Sequence, residues 1–324
     1  MVSDMFAVYA GAISAEDPLS GLVVGERPSP DIPQGWARVR VKAAALNHHD
    51  LWSLRGVGLA EAALPMILGC DAAGVDDEGN EVIVYAVITD GTNGDETTDP
   101  KRTLLSEKYQ GTFADEVVVP KRNLVPKPAG MSWADAACLP TSWLTAYRML
   151  ATRSGLTPGN TVLVQGAGGG VSTACIVLGK AMGFRVWVTS RDAGKREKAL
   201  NIGAHAVFEP GARLPERVDA VMETVGAATW DHSLKSLRPG GTVVISGATS
   251  GAMPPADLAR VFFLQLSVVG STMGTLAEFA QLIAFCDAAG VRPVIDQELQ
   301  MSSAHEAFER MLHGDVFGKL VLHR

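Results

Sequence analysis

A glycine-rich stretch, VLVQGAGGGVS at residues 162–172, has the composition that binding of a dinucleotide phosphate requires. It follows a short β-branched run and precedes a run with helical spacing, which predicts a turn between a strand and a helix. Glycines let such a turn bend tightly and bring the backbone close to a pyrophosphate, and the helix N-terminus offers free N–H groups. We therefore predict that Gly168, Gly169, Gly170 and Val171 bind the phosphates of a cofactor; the alternative is an ordinary tight turn.

The tip of the next predicted strand, RVWVT, indicates which dinucleotide is bound. Proteins that bind NAD commonly carry an acidic residue about 20 residues after the glycine turn, where it contacts the ribose 2′-hydroxyl. Here Ser190 and Arg191 follow the strand, Lys195 comes soon after, and Asp192 lies past the tip. A hydroxyl and two cations suit a 2′-phosphate, because a guanidinium group binds phosphate oxygens through several donors. This predicts NADPH, unless Arg191 and Lys195 are only solvated charges at the start of a helix.

Elements of two kinds must position these residues. Up to about Ser132 the chain contains short β-branched runs separated by Gly, Pro, Asp and Asn, which predicts a β-rich region. From Thr161 strands alternate with helices, which predicts a parallel sheet with helices on both faces. After Val291 the β-rich character returns, so we expect the chain to go back into the first region.

Length and composition disfavour several classes of protein. A chain of 324 residues suggests two domains, and 47% hydrophobic with 19% charged residues is ordinary for a globular protein. The net charge of −7 disfavours nucleic acid or an anionic membrane as a partner. No apolar run reaches the roughly 18 residues of a membrane span, and the four scattered cysteines are expected to be reduced thiols. We expect a cytoplasmic protein.

Several motifs resemble, in order and spacing, those of the medium-chain dehydrogenase/reductase superfamily, and in particular its zinc-independent quinone oxidoreductase branch. They span nearly the whole chain: ALNHHDLWSLRG, LPMILGCDAAG, GTFADEVVVP, LPTSWLTAYRML, QGAGGGVS, LRPGGTVVISGATSG and GKLVL. The resemblance implies an α/β protein with a GroES-like β-barrel catalytic domain, residues 1–141 and 291–324, and an inserted doubly wound Rossmann domain, residues 142–290. It also implies a cleft between the domains and a homodimer that forms through the edge strand Ser267–Ser271.

The resemblance assigns further contacts to the cofactor, which lie on the strand ends and loops that follow the glycine turn or on elements beside it. Ser172 departs from the family pattern, which usually has a glycine there, but its side chain is small. The positions implied are Thr145 at the nicotinamide, Gly247, Ala248 and Thr249 beside its ribose, Ser271 and Thr272 in the following loop, and Lys319 near the cofactor phosphates.

Zinc-dependent relatives hold a catalytic zinc ion through Cys, His and Cys, and motif matching puts these positions at Asn47, Cys70 and Thr141. Only Cys70 is a good ligand, and catalytic zinc needs three protein ligands and an open position. We therefore predict no metal. Without a metal to acidify an alcohol, the favoured reaction is hydride transfer to a quinone or to the β-carbon of an enone, because hydrogen-bond donors can stabilise the resulting oxyanion.

Three residues are predicted to be catalytic. Asn47 is expected to donate a hydrogen bond to substrate or cofactor, or else to cap a loop. Tyr85 offers a phenol to an enolate oxygen, or else packs in a core. His48, or its neighbour His49, relays a proton, or else is a satisfied or exposed histidine. Water is the alternative proton donor.

The aromatic and apolar side chains of Trp52, Leu54 and Trp143 either line the cleft or pack between the domains. If they line the cleft, the substrate is an apolar carbonyl compound. The leading hypothesis is an NADPH-dependent quinone or enone reductase. The alternatives are a reductase of activated alkenes such as enoyl thioesters, and a cofactor-binding protein with little turnover.

Overall fold

The structure, a computed structural model, describes residues 4–324, and this range contains eighteen strands and nine α-helices. The strands, in chain order, are β1 (Asp4–Ala10), β2 (Leu22–Pro28), β3 (Trp36–Ala45), β4 (Met66–Ile67), β5 (Asp71–Asp76), β6 (Glu81–Val84), β7 (Val87–Ile88), β8 (Thr103–Leu104), β9 (Glu116–Pro120), β10 (Leu124–Pro126), β11 (Thr161–Gln165), β12 (Arg185–Thr189), β13 (Ala206–Phe208), β14 (Val218–Glu223), β15 (Leu237–Ile245), β16 (Ser267–Gly270), β17 (Ile295–Gln300) and β18 (Lys319–His323).

The helices complete these elements. The α-helices are α1 (His48–Leu54), α2 (Trp133–Ala137), α3 (Leu144–Tyr147), α4 (Gly170–Ala181), α5 (Ala193–Ile202), α6 (Trp230–Ser236), α7 (Leu258–Phe263), α8 (Leu276–Ala289) and α9 (Ala304–His313). Single 3₁₀ turns occupy Pro18–Gly21, Glu61–Ala63, Glu96–Thr98, Lys121–Asn123 and Met301–Ser303, and π-helical segments at Leu139–Trp143 and Arg148–Arg153 flank α3.

The chain divides into two compact units. Among the described residues, the first contains 4–141, Thr275–Asp287 and Ile295–Arg324, and the second contains Ser142–Gly274 and Ala288–Val294. The sequence prediction placed residues 275–287 in the inserted domain, whereas here they group with the first unit.

Packing of α8 explains that difference. The ring of Phe279 stacks on Tyr85, with 5.9 Å between the ring centroids, and the Leu276 N–H donates to a Glu96 carboxylate oxygen at 3.3 Å. Tyr85 and Phe279 are far apart in the chain, so a prediction based on the alternation of helices and strands does not include their contact.

The first unit is built on β-strands. Its largest sheet has the order β10-β6-β5-β3-β18-β17, with β9 also pairing β3, and a three-stranded sheet has the order β2-β1-β4. The C-terminal strand β18 pairs antiparallel with β3, which confirms that the chain returns to the first region. Helix α9 presents Ala304, Ala307, Phe308 and Met311 to this core, at the spacing of one helix face.

The second unit contains the predicted parallel sheet. Its six strands have the order β13-β12-β11-β14-β15-β16, and all five pairings are parallel. Every residue of β11 is buried, as expected for a central strand that is covered on both faces. The strand order reverses between β11 and β14, and in such sheets ligands bind beyond the carboxyl ends of the strands at this point.

Among residues 4–324, no helix is long and apolar enough to cross a lipid bilayer. The four cysteines are all buried and none forms a disulfide.

Candidate functional site

The predicted glycine turn joins β11 to α4 in the second unit. Gly166 has φ +84°, and α4 begins at Gly170 with Gly169 as its N-cap. The hydroxyls of Ser172 and Thr173 both donate to the Gly169 carbonyl oxygen, at 2.9 and 3.0 Å. The serine that departs from the family pattern is therefore hydrogen-bonded to the start of the helix. The N–H groups of the first helical turn, which have no acceptor within the helix, remain suited to an anion.

Two more loops leave the same edge of the sheet, after β14 and β15. The N–H and the hydroxyl of Ser250 both donate to the Val225 carbonyl oxygen at 2.7 Å, which ties one loop to the other. The predicted ribose segment, residues 247–249, lies between β15 and this contact. A Cβ on Gly247 would lie 2.9 Å from the Thr224 carbonyl oxygen, so the close approach of the loops requires glycine there.

A buried carboxylate that sequence reasoning missed organises the loop after β14. Glu223 accepts hydrogen bonds from the N–H groups of Val225 and Gly226, at 2.8 and 3.0 Å, and from the hydroxyls of Thr229 and Ser233. A fully paired buried carboxylate of this kind fixes the loop backbone. The only signal in the sequence was its place at the end of a predicted strand.

The tip of β12 has the predicted residues Ser190, Arg191 and Lys195. Arg191 is exposed. Asp192 is the N-cap of α5, and its carboxylate accepts a hydrogen bond from the Lys195 N–H at 2.7 Å. Arg196, which the sequence analysis did not single out, donates to the Ser190 carbonyl oxygen at 2.6 Å. Arg196 also donates to the Arg191 carbonyl oxygen at 3.2 Å and pairs with Glu209 at 3.4 Å, so this further cation has protein partners already.

The other predicted cofactor residues of this unit lie on α3 and after β16. Thr145 is buried in α3, and the Ser271 N–H donates to the Ile245 carbonyl oxygen at 2.8 Å, which places this loop beside the end of β15. Thr272 is exposed. The buried hydroxyl of Ser271 has no hydrogen-bond partner among the described residues. An unsatisfied buried hydroxyl at this edge of the sheet fits a bound polar ligand.

In the first unit, Asn47, Asp71 and Lys319 form a buried polar cluster. The Lys319 ammonium donates to Asn47 Oδ1 at 2.7 Å, to the Leu46 carbonyl oxygen at 2.6 Å and to Asp71 Oδ2 at 3.3 Å. The Asn47 amide donates to Asp71 Oδ2 at 2.8 Å and to the Ala45 carbonyl oxygen at 3.4 Å. Lys319 is 2% exposed and Asp71 is fully buried.

These contacts bear on two predicted roles. Both amide hydrogens of Asn47 point to protein oxygens, which leaves none for a substrate, and the Asn47 N–H donates to Asp50 at the start of α1 at 2.8 Å. The Asn47 side chain is therefore held mainly by Asp71 and Lys319, a role that neither sequence alternative contained. Lys319 was expected near the cofactor phosphates, but its three N–H groups already have acceptors inside the first unit.

A catalytic zinc ion does not fit the three positions at which zinc-dependent relatives carry their ligands. Asn47 is bound to Lys319 and Asp71, Thr141 offers only a neutral hydroxyl, and Cys70 alone is a good zinc ligand. The Thr141 hydroxyl is buried without a hydrogen-bond partner in the described part of the chain. We derive no catalytic step through a metal at these positions.

Beside this cluster, His49 joins two side chains. Its Nδ1 lies 3.3 Å from the Cys70 sulfur, and its Nε2 lies 3.2 Å from Glu107 Oε1. Burial raises the pKa of Cys70 and raises that of Asp50 to about 6. Desolvation disfavours a charged His49, but Cys70 and Glu107 outweigh it and raise the pKa of the imidazole.

The remaining predicted residues lie apart from this cluster or at its edge. His48 is exposed, and desolvation together with the charges of Lys319 and Arg55 lowers its pKa. Tyr85 is buried against Phe279, and burial raises the pKa of its phenol, which fits the core-packing alternative. Leu54 and Trp143 are also fully buried, and Trp52 is half-buried.

Family models match both units. Residues 33–129 match the alcohol dehydrogenase GroES-like domain, and residues 170–288 match the model described as zinc-binding dehydrogenase. The crystal structure of an NAD-dependent alcohol dehydrogenase is similar over 99% of this chain and 100% of its own, with a TM-score of 0.91 and 33% sequence identity. These matches confirm the predicted fold class, a GroES-like domain with a Rossmann-type domain.

Curated relatives include reductases of conjugated substrates. The acryloyl-coenzyme A reductase of Sulfurisphaera tokodaii is 28% identical over 331 residues, 96% of this chain and 99% of that protein. The quinone oxidoreductase of Pongo abelii is 26% identical over 305 residues, 88% of each chain.

Replacement of Lys319 by methionine should lower the free energy of unfolding by about 3–5 kcal/mol, because it leaves the buried Asp71 carboxylate without a cation. The double variant Lys319→Met/Asp71→Asn should regain part of that loss, since a neutral amide needs no counter-charge. Urea denaturation followed by circular dichroism measures both. Lys235→Met, which breaks an exposed ion pair with Asp231, is the matched control and should change little. A double variant no more stable than Lys319→Met would contradict the interpretation.

Proposed function

The chain belongs to the medium-chain dehydrogenase/reductase superfamily of NAD(P)-dependent oxidoreductases, and from that premise we propose that it transfers hydride from NADPH to a quinone or an α,β-unsaturated carbonyl compound without zinc. The observation that carries the proposal is the replacement of the zinc ligands: Asn47, bound by Lys319, and Thr141 stand where cysteines would be required.

The choice of acceptor follows from this loss of ligands. Reduction of an isolated carbonyl, or oxidation of an alcohol, benefits from a Lewis acid that holds the oxygen. A conjugated acceptor spreads the negative charge from the β-carbon to an oxygen, where hydrogen-bond donors are sufficient. A quinone is favourable for the same reason. The proton that completes reduction comes from water or from a side chain, and His48 is the exposed candidate.

The residues of the second unit support NADPH as the cofactor. Bound NADPH supplies a hydride from nicotinamide C4. The turn at Gly168, Gly169, Gly170 and Val171 holds the pyrophosphate, and Arg191 with Lys195 neutralises the 2′-phosphate beside the Ser190 hydroxyl.

The nicotinamide end is oriented by a different set of residues. These lie at the carboxyl edge of β15 and β16 or on α3, and the Ser271 hydroxyl has no hydrogen-bond partner within residues 4–324. The set is Thr145, Gly247, Ala248, Thr249, Ser271 and Thr272.

Two alternatives remain in view. Similarity to acryloyl-coenzyme A reductase favours a thioester-linked alkene as the acceptor. A cofactor-binding protein with little turnover is the other.

The acidic net charge and the four free thiols also favour a cytoplasmic location.

Acceptor specificity is tested by NADPH consumption with a panel of compounds, read at the absorbance of the reduced nicotinamide. We expect turnover with 9,10-phenanthrenequinone and with an alkenal, and no reduction of NADP⁺ by primary or secondary alcohols. Turnover only with an enoyl-coenzyme A would favour the thioester alternative. Tight NADPH binding without consumption across the panel would contradict the proposal and favour the binding protein.

Cofactor choice is tested by Arg191→Ala. A hydrogen bond to a charged group contributes about 1.5–3 kcal/mol, so KM for NADPH should rise about tenfold or more while KM for NADH stays nearly constant. Arg213→Ala, at another exposed arginine of the same unit, is the control and should change neither value. Equal catalytic efficiency of the wild-type protein with NADH and NADPH would overturn the assignment.

We also propose a homodimer that forms along β16. This strand is the edge of the parallel sheet, and an edge strand offers unpaired backbone groups to a second copy. Val268 on β16 and the neighbouring Phe262 and Phe263 on α7 are exposed, the last at 76%. Exposed large apolar side chains grouped in this way mark an interaction surface.

Light scattering of the purified protein tests this surface. We expect the wild-type chain to have the mass of a dimer and Phe263→Asp to shift it towards the monomer, because a carboxylate would be buried at the interface. Leu200→Asp, at an exposed apolar residue of α5, should leave the dimer intact. A monomeric wild-type protein, or a dimer unaffected by Phe263→Asp, would refute the proposal.

A further inference from the structure

Three side chains with different ligand atoms meet in the first unit. A ring nitrogen of His49, a carboxylate oxygen of Asp50 and the sulfur of Cys70 all lie within 4.8 Å of one another. Neither Asn47 nor Thr141 takes part. Nitrogen, thiolate sulfur and carboxylate oxygen are the donors that Zn²⁺ takes in proteins. We propose that these three residues bind a zinc ion with a structural role, at a ligand set different from the one that zinc-dependent relatives use.

The distances allow such an ion with small movements. Zinc–sulfur and zinc–nitrogen bonds of about 2.3 and 2.0–2.1 Å at a tetrahedral angle separate the two ligand atoms by about 3.6 Å. The Cys70 sulfur and His49 Nδ1 are 3.3 Å apart, so they need to open by only about 0.3 Å to hold zinc between them. The Asp50 carboxylate must close towards the same point.

The groups around the cluster are those that orient zinc ligands. A histidine that binds a metal through one ring nitrogen usually donates its other N–H to a carboxylate. His49 Nε2 faces Glu107 Oε1 at 3.2 Å, which leaves the Nδ1 lone pair directed towards Cys70. Glu107 is itself fixed, because its Oε2 accepts from the Leu104 N–H at 2.9 Å and from the Thr103 hydroxyl at 3.1 Å.

Asp50 is held in the same manner. Its Oδ2 accepts the Asn47 N–H at 2.8 Å, and its Oδ1 accepts the Gly69 N–H at 3.1 Å. Each oxygen keeps a second lone pair, and carboxylates that bind metals are commonly supported by such bonds.

The cluster is less well balanced without a cation. The Cys70 sulfur has three polar neighbours, His49 Nδ1 at 3.3 Å, the Leu105 carbonyl oxygen at 3.2 Å and the Ser106 hydroxyl at 3.8 Å, but a thiol carries a single hydrogen. A thiol that donates to Leu105 accepts from His49 Nδ1–H, and Nε2 can then also donate to Glu107 only if the largely buried imidazole is doubly protonated. A zinc ion with one thiolate and one carboxylate has no net charge, so it removes this conflict.

Burial points to a structural ion rather than a catalytic one. Cys70 and Asp50 are fully buried, and the His49 side chain is 17% exposed. The Leu105 carbonyl oxygen is the nearest further ligand atom to Cys70, and it would complete four protein ligands. A closed site of this kind offers substrate no open position, so it is compatible with zinc-independent hydride transfer and does not rest on it.

Titration of the chelator-treated full chain with Co²⁺, and zinc analysis of the untreated protein, test the proposal. We expect one equivalent of zinc per chain and a cobalt–thiolate charge-transfer band that Zn²⁺ abolishes by displacement. Absence of both from the wild-type protein would overturn the proposal and leave the hydrogen-bonded thiol–imidazole–carboxylate cluster as the correct description.

Variants assign the ligands. Cys70→Ser and His49→Ala should abolish the cobalt band, and Glu107→Gln should weaken Co²⁺ binding about 10–100-fold, the usual effect of losing a group that orients a ligand. Cys175→Ser, at a buried thiol of the second unit, should retain the band and serves as the matched control. A band that persists in Cys70→Ser, or disappears in Cys175→Ser, would refute the assignment. Wild-type titration decides the matter even if a variant fails to fold, and NADPH consumption is not part of the readout.

Discussion

A single buried ammonium group, that of Lys319, determines the polar interior of the first unit. Removing a cation from water is costly, and the cost is offset only when all its hydrogens find acceptors. Lys319 meets this condition with one carboxylate, one amide and one backbone carbonyl oxygen. In doing so it fixes Asn47, whose N–H reaches the first turn of α1 through Asp50. The positions of α1 and of the strand that starts at Asp71 therefore depend on a charge near the C-terminus of the chain.

That arrangement constrains the chemistry. Because the Asn47 amide is engaged by Ala45, Asp71 and Lys319, we expect the oxygen of a reacting carbonyl to find its donors elsewhere. This requirement favours acceptors that delocalise charge over those that need a strong Lewis acid. In the second unit, the strand order reverses between β11 and β14. The glycine turn, the Glu223 loop and the Ser271 loop all lie at the carboxyl edge of this sheet. The two units thus contribute different things: a fixed polar interior in one and an edge where several loops meet in the other.

Local patterns were sufficient for part of this description. The glycine turn, the parallel sheet and the cations at the tip of β12 each depend on residues within a short stretch, and the sequence predicted all three. The Lys319–Asn47 contact joins residues 272 positions apart, and no periodicity reveals it. For the same reason Asn47 was expected at the substrate, and Tyr85 was left between a catalytic and a packing role. Arg196 and Glu107 were missed because a charged residue on a polar helix or loop looks like solvated surface until its partner is known.

Transfer of deuterium from NADPH labelled at C4, on each face in turn, tests the central claim most directly. With a cyclic enone as acceptor, the account predicts that one labelled face delivers deuterium to the β-carbon and yields the saturated ketone. Deuterium found on a carbinol carbon would show that the carbonyl itself is reduced. That result, or an absence of transfer from either face, would contradict the account.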